Sequence, residues 1–199
     1  AGEMTTIGLE DVAVEEFTGD GWLFEGGSVQ VSGGGLDATF QASSNGGVAG
    51  TDPGGVSGRV IPVGYGTRPE YRGLDVEGKI VFAWWDYDTL GIWPNYIAYE
   101  AYAHGADAVI MASAPDHFWY SAGNGRALGS NDGECSTTAC APLAIISKRS
   151  AAKLTDALAQ GRVRATVEIE AENLLDSTAY QPIGQITGST YPDQAIVLT

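Results

Sequence analysis

A chain of 199 residues, 44% of them hydrophobic, can bury a substantial core without a framework of disulfides, and no apolar run approaches the roughly 18 residues that a bilayer span requires. Its 25 acidic residues against 10 basic ones give a formal net charge of −15, which repels phosphate backbones and anionic lipid headgroups. Nucleic acid and membrane surfaces are therefore excluded as expected partners, and the acidity reads first as a device for solubility.

The N-terminal Ala1-Gly-Glu-Met-Thr-Thr6 has neither the basic nor the apolar segment of an export leader, so Ala1 is not expected to be the natural start. Val12, Val14 and Phe17 alternate with acidic residues, and Trp22 to Val31 continues in an extended pattern. The opening is thus predicted to be a β-hairpin around Thr18-Gly-Asp-Gly21. Glycine then dominates Ser32 to Gly58, which keeps regular structure short, and Asp52-Pro-Gly-Gly55 reads as a turn at a domain boundary placed near Gly50.

From Val56 onward strands are predicted at Val60–Val63 and Lys79–Trp84, followed by a helix from Pro94 to His104 with Gly105 beyond its end. The apolar run Asp107–Ala112 suits a buried strand, as does Pro142–Ser147. Ser147 is placed to cap a helix over Lys148–Gln160 that Gly161 terminates, and alternation at Val163, Ala165, Val167 and Ile169 predicts a half-buried strand. Two cysteines flank Ser-Thr-Thr-Ala in a Gly/Ser/Asn-rich loop with no histidine beside them. A local Cys135–Cys140 disulfide fits this spacing better than a zinc pair; it would contribute roughly 2 kcal/mol by the chain-entropy relation and implies an oxidising compartment. The last residues, Ile183 to Thr199, read as strand, turn at Gly188-Ser189 and Pro192-Asp193, and strand.

Four segments in order, Val76-Glu-Gly-Lys-Ile-Val-Phe82, Ala101-Tyr-Ala-His-Gly-Ala-Asp-Ala-Val-Ile110, Pro142-Leu-Ala-Ile-Ile-Ser147 and Leu154–Gly161, resemble a protease-associated (PA) domain. The flanking Ile7–Phe17 with Trp22, and the terminal Ile183–Thr199, resemble the segments that surround such an insert in secreted two-zinc exopeptidases, bacterial aminopeptidases and glutamate carboxypeptidase-like enzymes among them. The resemblance implies an α+β, strand-rich fold: a PA-like mixed β-sheet or sandwich with about two flanking helices, plus edge strands from a truncated catalytic domain. It divides the chain into a lead-in hairpin at 1–50, a PA-like domain at 51–172 and return strands at 173–199. It also implies that the first zinc ligands, in a His-x-Asp motif, follow Thr199. The chain itself would then be non-catalytic and hold no cofactor, with zinc in the parent catalytic domain. That domain would be its partner, along with peptide substrate, in a secreted, extracellular or periplasmic setting.

Local chemistry is consistent with a non-catalytic role. His104 and Asp107 have a metal-like spacing, but His104 falls in the last turn of a predicted helix, where an imidazole interacts favourably with the dipole, and Asp107 opens a strand. His117 is the only other histidine, too little for a two-metal site. No Gly-x-Ser-x-Gly elbow occurs, and Gly33-Gly-Gly35 lacks the Gly-Lys-Ser/Thr ending of a phosphate loop. The densest cluster is Trp84, Trp85, Asp86, Tyr87, Trp93 and Tyr96, which reads as packing and an interface ahead of direct substrate contact. Asp86 with Asp88 is a weak calcium pattern. The alternative reading of the chain is a free-standing module that binds peptide or carbohydrate through these aromatics.

Overall fold

The computed structural model describes residues 1–113, 135 and 139–190. Two compact units are present: Trp22–Leu174, and a smaller one made of Ala1–Gly21 with the chain from Leu175 onward. The larger unit is α+β, as its sequence pattern predicts. Its seven strands do not stop at an open sheet or sandwich but close into a barrel in the order β1-β2-β6-β5-β4-β3-β7. In chain order these are β1 (Glu10–Gly33), β2 (Leu36–Ser43), β3 (Val56–Pro62), β4 (Ile80–Trp85), β5 (Ala108–Ser113), β6 (Leu143–Ile146) and β7 (Val163–Gln185). Helices described in full are α1 (Gly2–Thr6), α2 (Tyr87–Leu90), α3 (Pro94–Ala103) and α4 (Lys148–Gln160).

Strands β3, β4, β5 and β6 run parallel, with Ile80 opposite Val60 and Ala108, and Val109 opposite Leu143. The pairings of β1 with β2, β2 with β6 and β3 with β7 are antiparallel. Parallel strands covered on both faces have no polar side to show, which explains why Ile80–Trp85 and Ala108–Ala112 are almost wholly apolar. Alternation along β4 distributes its side chains between two cores. Ile80 and Phe82 join Ile110, Ile146, Val29, Phe40, Val167 and Leu154 of α4. Val81, Ala83 and Trp85 join Met111, Leu143, Ile145 and the buried face of α3, Ile97, Ala98 and Ala101.

The predicted hairpin at Thr18–Gly21 does not form. Strand β1 runs through this stretch without a break and turns only at Gly33–Gly35, after which Val31 pairs with Ala38 and Gly33 with Leu36. A tight antiparallel turn needs left-handed backbone, and Gly33, Gly34 and Gly35 supply it with φ of 110°, 58° and 78°, whereas Gly19 and Gly21 are not among the residues with positive φ. Strand β7 likewise runs far past the predicted Ile169, to Gln185. The second strand of the predicted terminal hairpin lies outside the described residues.

The α4 signals operate as read. Ser147 Oγ accepts from Ser150 N at 3.2 Å, and the helix buries Ala151, Leu154 and Ala157. Replacing Leu154 by Ala should cost about 2–5 kcal/mol, as for other buried leucines, and Ser147→Ala about 1 kcal/mol through loss of the cap; denaturant unfolding monitored by circular dichroism measures both.

Candidate interaction surface

The clustered aromatics are distributed by strand geometry before any chemistry applies. Trp84 and Trp85 are consecutive on β4, so they point to opposite faces. Trp84 packs partly buried against the first core, edge to face with Phe82 at 5.3 Å and 65°. It also walls a cleft of about 340 Å³ with Pro62, Gly64, Thr155 and Leu158. Trp85 enters the second core at 2% exposure and donates its indole N–H to Ile92 O at 2.7 Å. Its ring stacks on Trp93 at 6.4 Å and 29°, so Trp85 ties the segment 86–93 to the sheet.

Asp86 is buried, and its carboxylate accepts from Thr89 N at 3.0 Å while its carbonyl accepts from Leu90 N at 3.0 Å. That is the arrangement of a helix N-cap, here for the one-turn α2, and it gives this carboxylate a structural task. The side chains of Tyr87 and Asp88 lie outside the described residues, and so does the calcium pattern that depends on Asp88.

Trp93 precedes Pro94 at the start of α3 and is 42% exposed. From it an aromatic recurs every third residue, at Tyr96, Tyr99 and Tyr102, the last 53% exposed. Ile97, Ala98 and Ala101 occupy the opposite, buried side of the helix. Of the six residues singled out from the sequence, the structure therefore brings Trp93 and Tyr96 to one helix surface, and withdraws Trp84, Trp85 and Asp86 into packing and capping. Tyr99 and Tyr102 escaped the sequence reading, which ended at Tyr96. The three-residue repeat continuing through the helix was the available signal.

A buried polar flank holds this face in place. Glu100, 6% exposed, bonds the Tyr96 phenol; burial first, and then this carboxylate, raise the Tyr96 pKa. His104 closes α3, its Nδ1 lying 2.8 Å from Glu100 O and 3.7 Å from the Glu100 carboxylate, and its ring stacks on Tyr71 at 4.3 Å and 15°. Tyr71 belongs to a short 3-10 turn, Arg68–Tyr71, anchored by Glu70, whose carboxylate accepts from Tyr65 N, Thr67 N and Thr67 Oγ1 at 2.8–3.0 Å. The Tyr71 hydroxyl is buried without a hydrogen-bond partner, and burial followed by the charge of Glu100 pushes its pKa upward.

His104 thus ends a helix, and Asp107 is exposed at the entry to β5, its backbone N–H donating to Lys79 O at 2.8 Å. Among the described residues no group of three or more His, Cys, Asp or Glu side chains is arranged to hold a metal. His117 lies outside them. Cys135 and Cys140 form the expected disulfide, with Cα atoms 5.5 Å apart, and Cys135 is buried in the second core near α3. Among the described residues no helix is long and apolar enough to cross a membrane. What the α3 face offers is stacking area and phenolic hydroxyls, which suit the recognition of a surface or an extended ligand.

The expected effects separate anchor from surface. Trp85→Ala should lose about 3–5 kcal/mol of stability, whereas Tyr102→Ala should stay within about 0.5 kcal/mol, by denaturant titration. Tyr71→Phe removes an unpaired buried hydroxyl and should leave stability unchanged or raise it by up to about 2 kcal/mol. In the unaltered chain stability should fall as pH rises above 10.0, because the unfolded Tyr71 phenol ionises there while the folded one resists. Unfolding curves collected across alkaline pH should show that loss flattened in Tyr71→Phe.

No protein-family model matches the sequence, and no curated protein matches it. Solved structures do share the fold. A peptidase M28 precursor from Shewanella amazonensis SB2B superposes with a TM-score of 0.74 at 19% identity, covering 95% of this chain and 44% of its own. The aminopeptidase from Aneurinibacillus sp. strain AM-1 has a TM-score of 0.59 at 20% identity over 91% of this chain and 39% of its own. BSAP, a zinc aminopeptidase from Bacillus subtilis, has a TM-score of 0.60 at 20% identity over 92% of this chain and 38% of its own. At these identities the likeness establishes the fold, and the chain spans less than half the length of each of these proteins.

Proposed function

We propose that this chain is the non-catalytic, PA-like part of a secreted zinc-dependent aminopeptidase or carboxypeptidase, and that it shapes access to the active site through the exposed face of α3. The observation that carries this reading is the partial coverage: 95% of this chain superposes on 44% of a peptidase M28 precursor. On this reading zinc and the hydrolytic groups belong to the remainder of a longer protein. The buried disulfide supports passage through an oxidising compartment. The aromatic face of α3 supplies the groups for substrate selection, while Trp85, Glu100 and Tyr71 behind it hold that face rigid.

The natural gene product should hydrolyse peptides in a zinc-dependent way that a chelator abolishes, and this chain by itself should not. Tyr99→Ala with Tyr102→Ala should raise KM for extended peptides about tenfold and leave kcat on a single-residue anilide substrate unchanged. A gene product without zinc-dependent peptidase activity overturns the reading. The exposure of Trp93, Tyr99 and Tyr102 favours, as a second reading, a free-standing peptide- or carbohydrate-binding module. Saturable quenching of tryptophan fluorescence by peptides or glycans, lost in Trp93→Ala, would select it.

A further inference from the structure

Alternation along the strands gives the barrel a polar outer side with a groove of its own. Val29, Val31, Phe40, Ala165 and Val167 turn inward to the first core, and the residues between them face outward. There a cleft of about 310 Å³ is lined by Gln30 and Ser32 of β1, Asp37 and Thr39 of β2, Arg164 and Thr166 of β7, and Ser57 of β3. Because β7 closes the barrel against β1, the groove crosses the strands in the order β2, β1, β7, β3. Asp37 thus stands at one side and the arginine at the other, on strands roughly 10 Å apart. None of these residues belongs to α3 or to the side chains that support it.

The arginine side is built against local stability. Arg59 and Arg164 are exposed and face each other directly in the β3/β7 register, beside the Ser57–Thr166 pair whose hydroxyls meet at 2.7 Å. Like charges set opposite each other on a sheet repel, and in a chain with 25 acidic residues a carboxylate at either position would have made an attractive pair instead. Among the described residues neither arginine forms an ion pair. Asp75, which feels the charge of Arg59, is bonded to Lys79 Nζ at 2.7 Å, and Glu168, the next outward carboxylate of β7, lies beyond Thr166 and away from the pair. Two guanidinium groups are therefore available to an anion, at the edge of a groove whose hydroxyls, amide and single carboxylate offer both donors and acceptors.

We propose that this groove binds a glycan that carries an isolated carboxylate, a uronic or sialic acid residue. Arg59 and Arg164 hold the carboxylate, for which the planar guanidinium fork is the matching donor, and Gln30, Asp37 and Thr39 take the sugar hydroxyls. A peptide fits less well, because the backbone of these strands is engaged in the barrel ladders and the lining has no apolar pocket for its side chains. A densely charged polyanion is repelled by the net charge of −15, whereas a single carboxylate at the arginine pair is screened from distant charges beyond about 8 Å at physiological salt. The site is independent of the α3 face and of the accessory-domain reading.

Two acidic sugars test the assignment on the chain as it stands: sialyllactose and a xylo-oligosaccharide bearing one glucuronic acid, each compared with its neutral parent. In titrations of the isotope-labelled chain followed by nuclear magnetic resonance, at least one of them should shift the amide signals of residues 30–32, 37–39, 57–59 and 164–166, with an affinity about tenfold above that of its parent. Arg59→Gln and Arg164→Gln should each weaken this binding about tenfold and leave the denaturant midpoint unchanged or higher, since the repulsion across the strands is relieved. Thr39→Val should weaken it about threefold, an effect that attraction between charges alone does not produce. Failure of both acidic sugars to bind, equal binding of the neutral parents, equal binding of a serine/glutamate peptide of the same charge, or shifts confined to α3 would overturn the proposal. A lowered midpoint in both arginine variants would do so as well, by making the pair a structural device. None of these outcomes bears on the zinc-dependent activity by which the accessory-domain reading is tested.

Discussion

The burial of β4 and β5 on both faces is the constraint from which the rest follows. A parallel strand with cover on one side alone would expose a row of large apolar groups; here β1, β2, β7 and α4 cover one face while α3 covers the other. The alternation of β4 thereby divides neighbouring tryptophans between separate cores. It also settles the position of α3, because Ile97, Ala98 and Ala101 must reach Val81, Ala83 and Trp85. Once that side of the helix is committed, Tyr99 and Tyr102 have only the outward direction.

The aromatic face of α3 is therefore a by-product of packing that has been given rigid supports. Trp85 grips the carbonyl of Ile92 and the ring of Trp93 at the start of α3. His104, Glu100 and Tyr71 fix its other end through a ring stack and a short hydrogen bond. The buried Tyr71 hydroxyl, left without a partner, is the one element of this support that stability alone does not explain.

How much could be read from the chain depended on how local each signal was. The capping of α4 by Ser147 and the disulfide between Cys135 and Cys140 were legible because both partners lie within a few residues of each other. The turn at Gly33–Gly35 was misplaced because Thr18–Gly21 has equal turn chemistry, and only pairing across to β2 chooses between them. The length of β7 was underestimated for a related reason. Past Ile169 its apolar residues alternate poorly, and the strand is defined by its neighbours rather than by its own pattern. Barrel closure could not be seen at all, since the order of strands around a closed sheet has no local signature.

The amino-acid sequence by itself determined the secondary elements with strong periodicity, the acid-rich character and the resemblance that names a family of folds, because propensity, capping and charge act within a few residues. Only the tertiary structure decided which aromatics reach solvent. Trp84 and Trp93 look alike in sequence, yet one packs against Phe82 beside α4 and the other opens a helix whose outer face is lined with tyrosine. That difference comes from strand parity and from which face the helices cover, and both are properties of long-range packing.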